Sequence, residues 1–157
     1  MTTELRDGVW QIKLRALPGW IINSYLVDDD GTLTLIDAGM PWNASDIRAG
    51  VEDAGYDLEH LERVLITHYD LDHFGGLLRL SDLDIEVYAG RPDAGFFTGD
   101  EKPPLLHHKG AFHRLLRVVT PDLEVEPLED GDDVGGFQAF HTPGHNPGHM
   151  AYVNEAR

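Results

Sequence analysis

Apolar and polar residues alternate loosely at period two from Gly8 to Leu14, the spacing of a half-buried strand. Ile21 to Val27 forms a second such run. Asp28-Asp29-Asp30-Gly31 then has the composition of a tight turn, so a hairpin into a third strand, Thr32 to Ile36, is predicted. That strand ends in Asp37-Ala38-Gly39, with Pro41 close behind. The period then changes. Asn43 or Ser45 can cap a helix running to about Ala54, with Ile47 and Val51 on one face and Gly55 as its stop. Arg63 to Thr67 is a short buried strand, Leu77 to Leu80 a short helix, and Ile85 to Ala89 a further strand. Pro92–Thr98 and Leu106–Val118 are predicted helices, parted by Pro103-Pro104. Leu123–Glu126 and Phe137–Phe140 alternate as strands, and Met150–Val153 starts another. Strands and helices in this mixed order predict an α/β layered fold, richer in sheet at its start. Such folds present ligand sites at the C-terminal ends of their strands.

Ligand-type side chains collect at two of those ends. After the apolar run Val64-Leu65-Ile66 comes Thr67-His68-Tyr69-Asp70-Leu71-Asp72-His73-Phe74-Gly75-Gly76. If extended geometry persists past Thr67, His68 and Asp70 point the same way. A turn into a helix would bring Asp72 and His73 alongside. Imidazole nitrogen and carboxylate oxygen are zinc donors at about 2.0–2.2 Å, and a strand running into a helix holds them on rigid backbone. Gly75 and Gly76 leave room for another stretch of backbone to come close. The alternative is a polar loop whose aspartates cap the helix. The second cluster is Phe140-His141-Thr142-Pro143-Gly144-His145-Asn146-Pro147-Gly148-His149, where two Pro-Gly pairs brace a histidine-rich turn. Taken alone, a histidine in a turn is more often simply solvated.

Composition narrows the chemistry. The 157 residues include no cysteine, so a metal site here must use imidazole and carboxylate. The length fits one domain over residues 1–157, and 41% apolar content fits a packed core. No apolar run is long enough to span a membrane, and Met1 to Val9 does not have the pattern of a secretory signal, which together predict a cytoplasmic protein. The formal charge of −16 is spread along the chain and disfavours nucleic acid and anionic membranes as partners. It suits a salt-rich, halophilic cytoplasm, where screening shortens self-repulsion to about 3 Å at 1 M salt. An ordinary acidic soluble protein is the plainer alternative.

Together these motifs resemble the metallo-β-lactamase superfamily across nearly the whole chain. His68-Tyr69-Asp70-Leu71-Asp72-His73 stands for the family's His-x-His-x-Asp-His signature, and Thr142-Pro143-Gly144-His145 for its Thr-Pro-Gly-His turn. The Asn23-Ser24-Tyr25-Leu26-Val27 and Leu35-Ile36-Asp37-Ala38-Gly39 stretches are similar to the family's opening. The resemblance implies a metallo-β-lactamase-like αββα sandwich, with its first half and the start of its second present. It implies a first metal position at His68, Asp70 and His145. Asp72 and His73 would serve a second, and Asp37 would support the site by hydrogen bonding. The implied cofactor is Zn2+, one or two ions. The implied activity is hydrolysis of ester, thioester, lactone or related bonds of a small-molecule substrate by a metal-bound hydroxide, with Asp72 as the catalytic residue that orients it or takes its proton. His141 and His149 match flanking positions that are not usual ligands.

Two departures from the family pattern shape these expectations. Asp70 replaces a histidine, which adds negative charge, weakens Lewis acidity and makes Fe or Mn suitable as well. The family's later bridging Asp and final His have no counterpart after His149, so the fold is expected to be C-terminally incomplete, with an exposed sheet edge open to homo-oligomer formation. A non-catalytic metal-binding or interaction remnant of the fold is the alternative function. The segment Pro92 to Val118, with His107, His108 and His113, reads either as a lid over the metals or as an amphipathic helix with its histidines outward.

Overall fold

A computed structural model of the chain describes residues 1–98 and 123–156. Seven strands form one sheet in the order of the sequence: β1 (Thr2–Arg6), β2 (Val9–Leu17), β3 (Trp20–Asp29), β4 (Thr32–Ile36), β5 (Leu61–Ile66), β6 (Glu86–Gly90) and β7 (Glu126–Leu128). The first four run antiparallel, and the pairs from β4 to β7 run parallel. Between them lie α1 (Ala44–Asp53), α2 (Leu71–Phe74) and α3 (Arg91–Thr98). A second, antiparallel sheet has the order β10-β9-β8, from β8 (Asp133–Val134), β9 (Phe137–His141) and β10 (Met150–Val153).

The layering follows from strand alternation. Successive side chains point to opposite faces. Val64 and Ile66 of β5 therefore join one apolar cluster with Ile12, Leu35 and the α1 residues Ile47 and Val51. Leu65, between them, turns to the other face and meets Val27 and Phe137, where Tyr152 also packs. One face of the large sheet is thus covered by helix and the other by the second sheet. Phe140 and Val153, on the alternate positions of β9 and β10, are exposed.

Most predicted elements are present. The β3–β4 hairpin turns on Asp30 and Gly31, both left-handed (φ 52° and 93°), as a two-residue turn requires. Gly55, at φ 92°, closes the turn after α1. Four details differ. Asn43 sits at the N-cap position but does not cap α1. Fully buried, it accepts a bond from Met40 N and donates to Arg15 O and Asp46. The predicted strand Leu123–Glu126 pairs only from Glu126 onward, to Leu128. Val125 packs into the core, and Pro127 is tolerated because, among the described residues, β7 has a partner strand on one side only. The short helix predicted at Leu77 is a 3-10 turn over Gly75–Arg79. β1 carries no alternation and had no signal of its own. The predicted helix Leu106–Val118 and its histidines lie outside the described residues.

Candidate metal centre

β5 delivers the first cluster. Extended geometry does not persist past Ile66: the chain bends through Thr67–Tyr69, with Asp70 N donating to His68 O at 2.9 Å, and this bend still brings the His68 and Asp70 side chains together while Tyr69 packs into the core. Tyr69 stacks on Phe74 with ring centres 4.9 Å apart and meets the edge of Phe97 at 4.7 Å. Asp70 is extended (φ −124°, ψ 142°) and α2 begins at the next residue. The turn is held close to the end of β4: Ala38 N donates to His73 O at 2.5 Å, and Gly76 N to Gly39 O at 3.0 Å. Glycine is required there. A Cβ on Gly76 would run into the Ala38 carbonyl, and one on Gly75 would lie 2.5 Å from Pro41 Cδ.

The β9–β10 loop supplies the second cluster. Met150 N donates to Thr67 O (2.8 Å) and Tyr152 Oη to Ile66 O (2.8 Å), which places the loop over the end of β5. His145 Nε2 then lies 3.1 Å from Asp70 Oδ2, and His68 Nε2 lies 3.2 Å from the same oxygen. One donor atom from each of His68, Asp70 and His145 falls within 4.8 Å of the others. Donors around a tetrahedral zinc with bonds of about 2.0–2.2 Å lie roughly 3.3 Å apart, so two edges of this triangle already have that spacing. Two imidazoles and a carboxylate also form a donor set that zinc, iron and manganese accept.

The surrounding hydrogen bonds orient these donor groups. Thr67 Oγ1 lies 3.0 Å from His68 Nδ1 and 2.8 Å from Asp37 Oδ2. It can therefore accept from the ring and donate to the carboxylate, leaving His68 Nε2 toward Asp70. Asp37 also accepts from Thr67 N (2.8 Å) and pairs with His73 Nδ1 (2.7 Å). It holds a left-handed backbone (φ 60°), with its carbonyl taken by the buried Ser24 hydroxyl at 2.6 Å. Asn146 donates to Asp70 Oδ1 at 3.3 Å. Metal-binding imidazoles and carboxylates are commonly fixed by such outer partners.

Asp72 and His73 are adjacent to this triangle rather than part of it. His73 Nε2 is 3.7 Å from Asp72 Oδ2, and its ring centre is 4.0 Å from that of His68. Burial works against a charged His73. Asp37, Asp72 and Asp70 together outweigh it and raise the ring above its ordinary value. His149 stacks on His68 at 5.1 Å, with Nδ1 2.9 Å from Thr142 Oγ1. Burial, then the neighbouring His68 and His145, lower it. His141 turns away, its Nε2 against Pro147 O at 2.7 Å. Thr67 and Asn146 adjoin the motifs but were not singled out from the sequence. The sequence marks Asp93 only as part of the predicted helix Pro92–Thr98. Its carboxylate is fully buried beside the centre, and burial raises it despite two backbone N–H donors.

The chain has known relatives. It is 30% identical over 153 residues to the uncharacterized protein YobT of Bacillus subtilis, covering 93% of this chain and 62% of YobT. It is 27% identical over 167 residues to an N-acyl homoserine lactonase of a Bacillus species, covering 91% and 60%. A metallo-β-lactamase of Cronobacter sakazakii, described by its HARLDQ motif, superposes with a TM-score of 0.76 at 26% identity, over 96% of this chain and 58% of that one. The chain thus spans little more than half the length of these proteins. The domain model of the metallo-β-lactamase superfamily matches residues 17–157, and with a mixed α/β fold that follows that of its solved members, the chain belongs to this superfamily.

Proposed function

We propose that this chain is a metal-dependent hydrolase acting on an ester, thioester, lactone or related bond of a small molecule. The observation that carries the proposal is the convergence of His145 Nε2 and His68 Nε2 on Asp70 Oδ2 from loops 75 residues apart. A packing role does not explain why two imidazoles meet one buried carboxylate oxygen. A divalent ion does. In this reading His68, Asp70 and His145 hold the ion. A second ion would draw on Asp72 and His73. Zinc fits the donor set, and the carboxylate at Asp70 also suits iron or manganese. When bound, the ion supplies electrophilic polarisation of the substrate carbonyl and acidifies water.

The chain's own residues do the rest. Asp72 is partly open, and its Oδ2 lies 3.7 Å from His73 Nε2, beside the centre. It takes the proton of the attacking water. The water oxygen bonds to the acyl carbon, the C–O or C–S bond breaks, and the proton passes from Asp72 to the leaving alkoxide or thiolate. Asp37 and Thr67 keep His68 and His73 oriented throughout. The relationship to an N-acyl homoserine lactonase supports a small acyl substrate. The charge of −16 supports the same view by disfavouring polyanions, and we place the protein in a salt-rich cytoplasm.

Titration of the metal-free chain with Zn2+, followed by assay on lactone, thioester and ester panels, tests the proposal. At least one ion per chain is expected. Affinity should fall more than about 100-fold in His68→Ala and in His145→Ala, beyond the 10–100-fold typical of outer partners, with turnover lost. A chain that binds no ion overturns the proposal. An ion bound without turnover favours the second reading, a metal-binding interaction domain. That reading is motivated by Asp72 and His73 belonging to no group of three converging donors among the described residues.

A further inference from the structure

We infer that Asp93 is the positioning residue that joins the two ligand-bearing loops and sets the distance between His68 and His145. The inference rests on the metal-centre reading. Asp93 lies in the first turn of α3, outside both histidine motifs, and has no exposed surface. Its Oδ2 accepts from Tyr69 N at 2.8 Å, between His68 and Asp70. Its Oδ1 accepts from Gly148 N at 2.9 Å, three residues after His145. One carboxylate thus grips the backbone of both loops.

Burying a carboxylate is costly unless its acceptors are used, and here each oxygen is spent on one loop. The fit is close. A Cβ on Gly148 would lie 2.5 Å from Asp93 Cγ, and one on Gly90 would meet the Gly148 carbonyl. The grip reaches His145 because its loop is tied to itself. Thr142 N donates to His149 O at 2.8 Å, and His149 N to Asn146 O at 3.3 Å. No other side chain of similar size reproduces these bonds. Asn offers one acceptor and turns an N–H donor toward a backbone N–H, while Glu needs room that Gly148 and the buried setting do not provide.

The test is titration of the full chain with Co2+, read by visible absorption, for wild type, Asp93→Asn, His145→Ala, the double variant, and Val51→Ala as a core-weakened control away from the site. Asp93→Asn should weaken Co2+ binding about 10-fold or more and shift the spectrum toward that of His145→Ala. The double variant should be no weaker than His145→Ala alone, and Val51→Ala should bind as wild type does. Wild-type affinity in Asp93→Asn overturns the inference, as does a cost that adds in full to that of His145→Ala. A general loss that Val51→Ala shares overturns it too. If His145→Ala itself binds Co2+ normally, the metal-centre reading has failed instead. Amide exchange on the wild-type chain then judges the brace, and does so as well if Asp93→Asn fails to fold. Matched, slow exchange at Tyr69 and Gly148 supports it. A Gly148 amide exchanging like an open loop while Tyr69 is protected overturns it.

Discussion

At the scale of single residues, the proposed metal centre depends on one hydroxyl as much as on its three donor side chains. Thr67 Oγ1 contacts His68 Nδ1, His73 Nδ1 and Asp37. Thr67→Val keeps the size and the backbone bond to Asp37 but removes that hub. Metal affinity measured calorimetrically should fall roughly 10–100-fold with the fold intact. Asp37 has a second, pH-dependent effect in the metal-free chain. It raises His73, so the folded state holds that proton more tightly than the unfolded state. The resulting stability is fully present below the unfolded value of about 6.5 and fades as pH rises through the higher folded one. Asp37→Asn should therefore lower the denaturant midpoint more at about pH 5.5 than at about pH 8.5, and equal losses would refute the assignment. The donor clusters were legible because each short motif packs several donor side chains at the end of a strand. Asp93 was not, since its meaning lies in contacts 24 and 55 residues away that leave no local pattern.

Elements carry the next level of information. β2 to β6 and α1 were readable because alternation and a 3.6-residue face are properties of neighbours in sequence. The placement of β7 depended instead on where β6 offers partners, and β8 is too short to show a period. The glycines after α2 permit a distinct test. Gly76→Ala pushes a Cβ into the Ala38 carbonyl, so α2 and the end of β4 must separate. A loss of about 1–3 kcal/mol in unfolding free energy is expected, together with weaker metal binding, because Asp37 and His73 sit on opposite sides of that contact. Gly19→Ala provides the contrast. It meets no atom within 4 Å but has φ 81°, so it should cost about 1 kcal/mol through backbone strain and leave metal affinity unchanged.

For the molecule as a whole, charge and connectivity set behaviour that no single residue does. With −16 charges on 157 residues, self-repulsion opposes compactness, and salt relieves it. Raising KCl from about 0.1 M to about 2 M should raise the melting temperature, by roughly 2–4 °C for each kcal/mol of repulsion screened. A flat response would remove the case for adaptation to high salt. Composition predicts that surface, whereas the packing of the two sheets, fixed by pairings far apart in the chain such as Leu65 against Phe137, is legible only through the family resemblance, which implied the αββα sandwich. The 75-residue span from Asp70 to His145 has a thermodynamic consequence of its own. An ion gripped at both ends would staple the chain into a ring of that size. Were the staple to persist in the denatured ensemble, as a disulfide does, lost loop freedom alone would amount to about 4.5 kcal/mol. Because a chelatable ion lets go on unfolding, that freedom is instead regained in the melt, and EDTA titration should shift thermal midpoints in proportion to the logarithm of free metal.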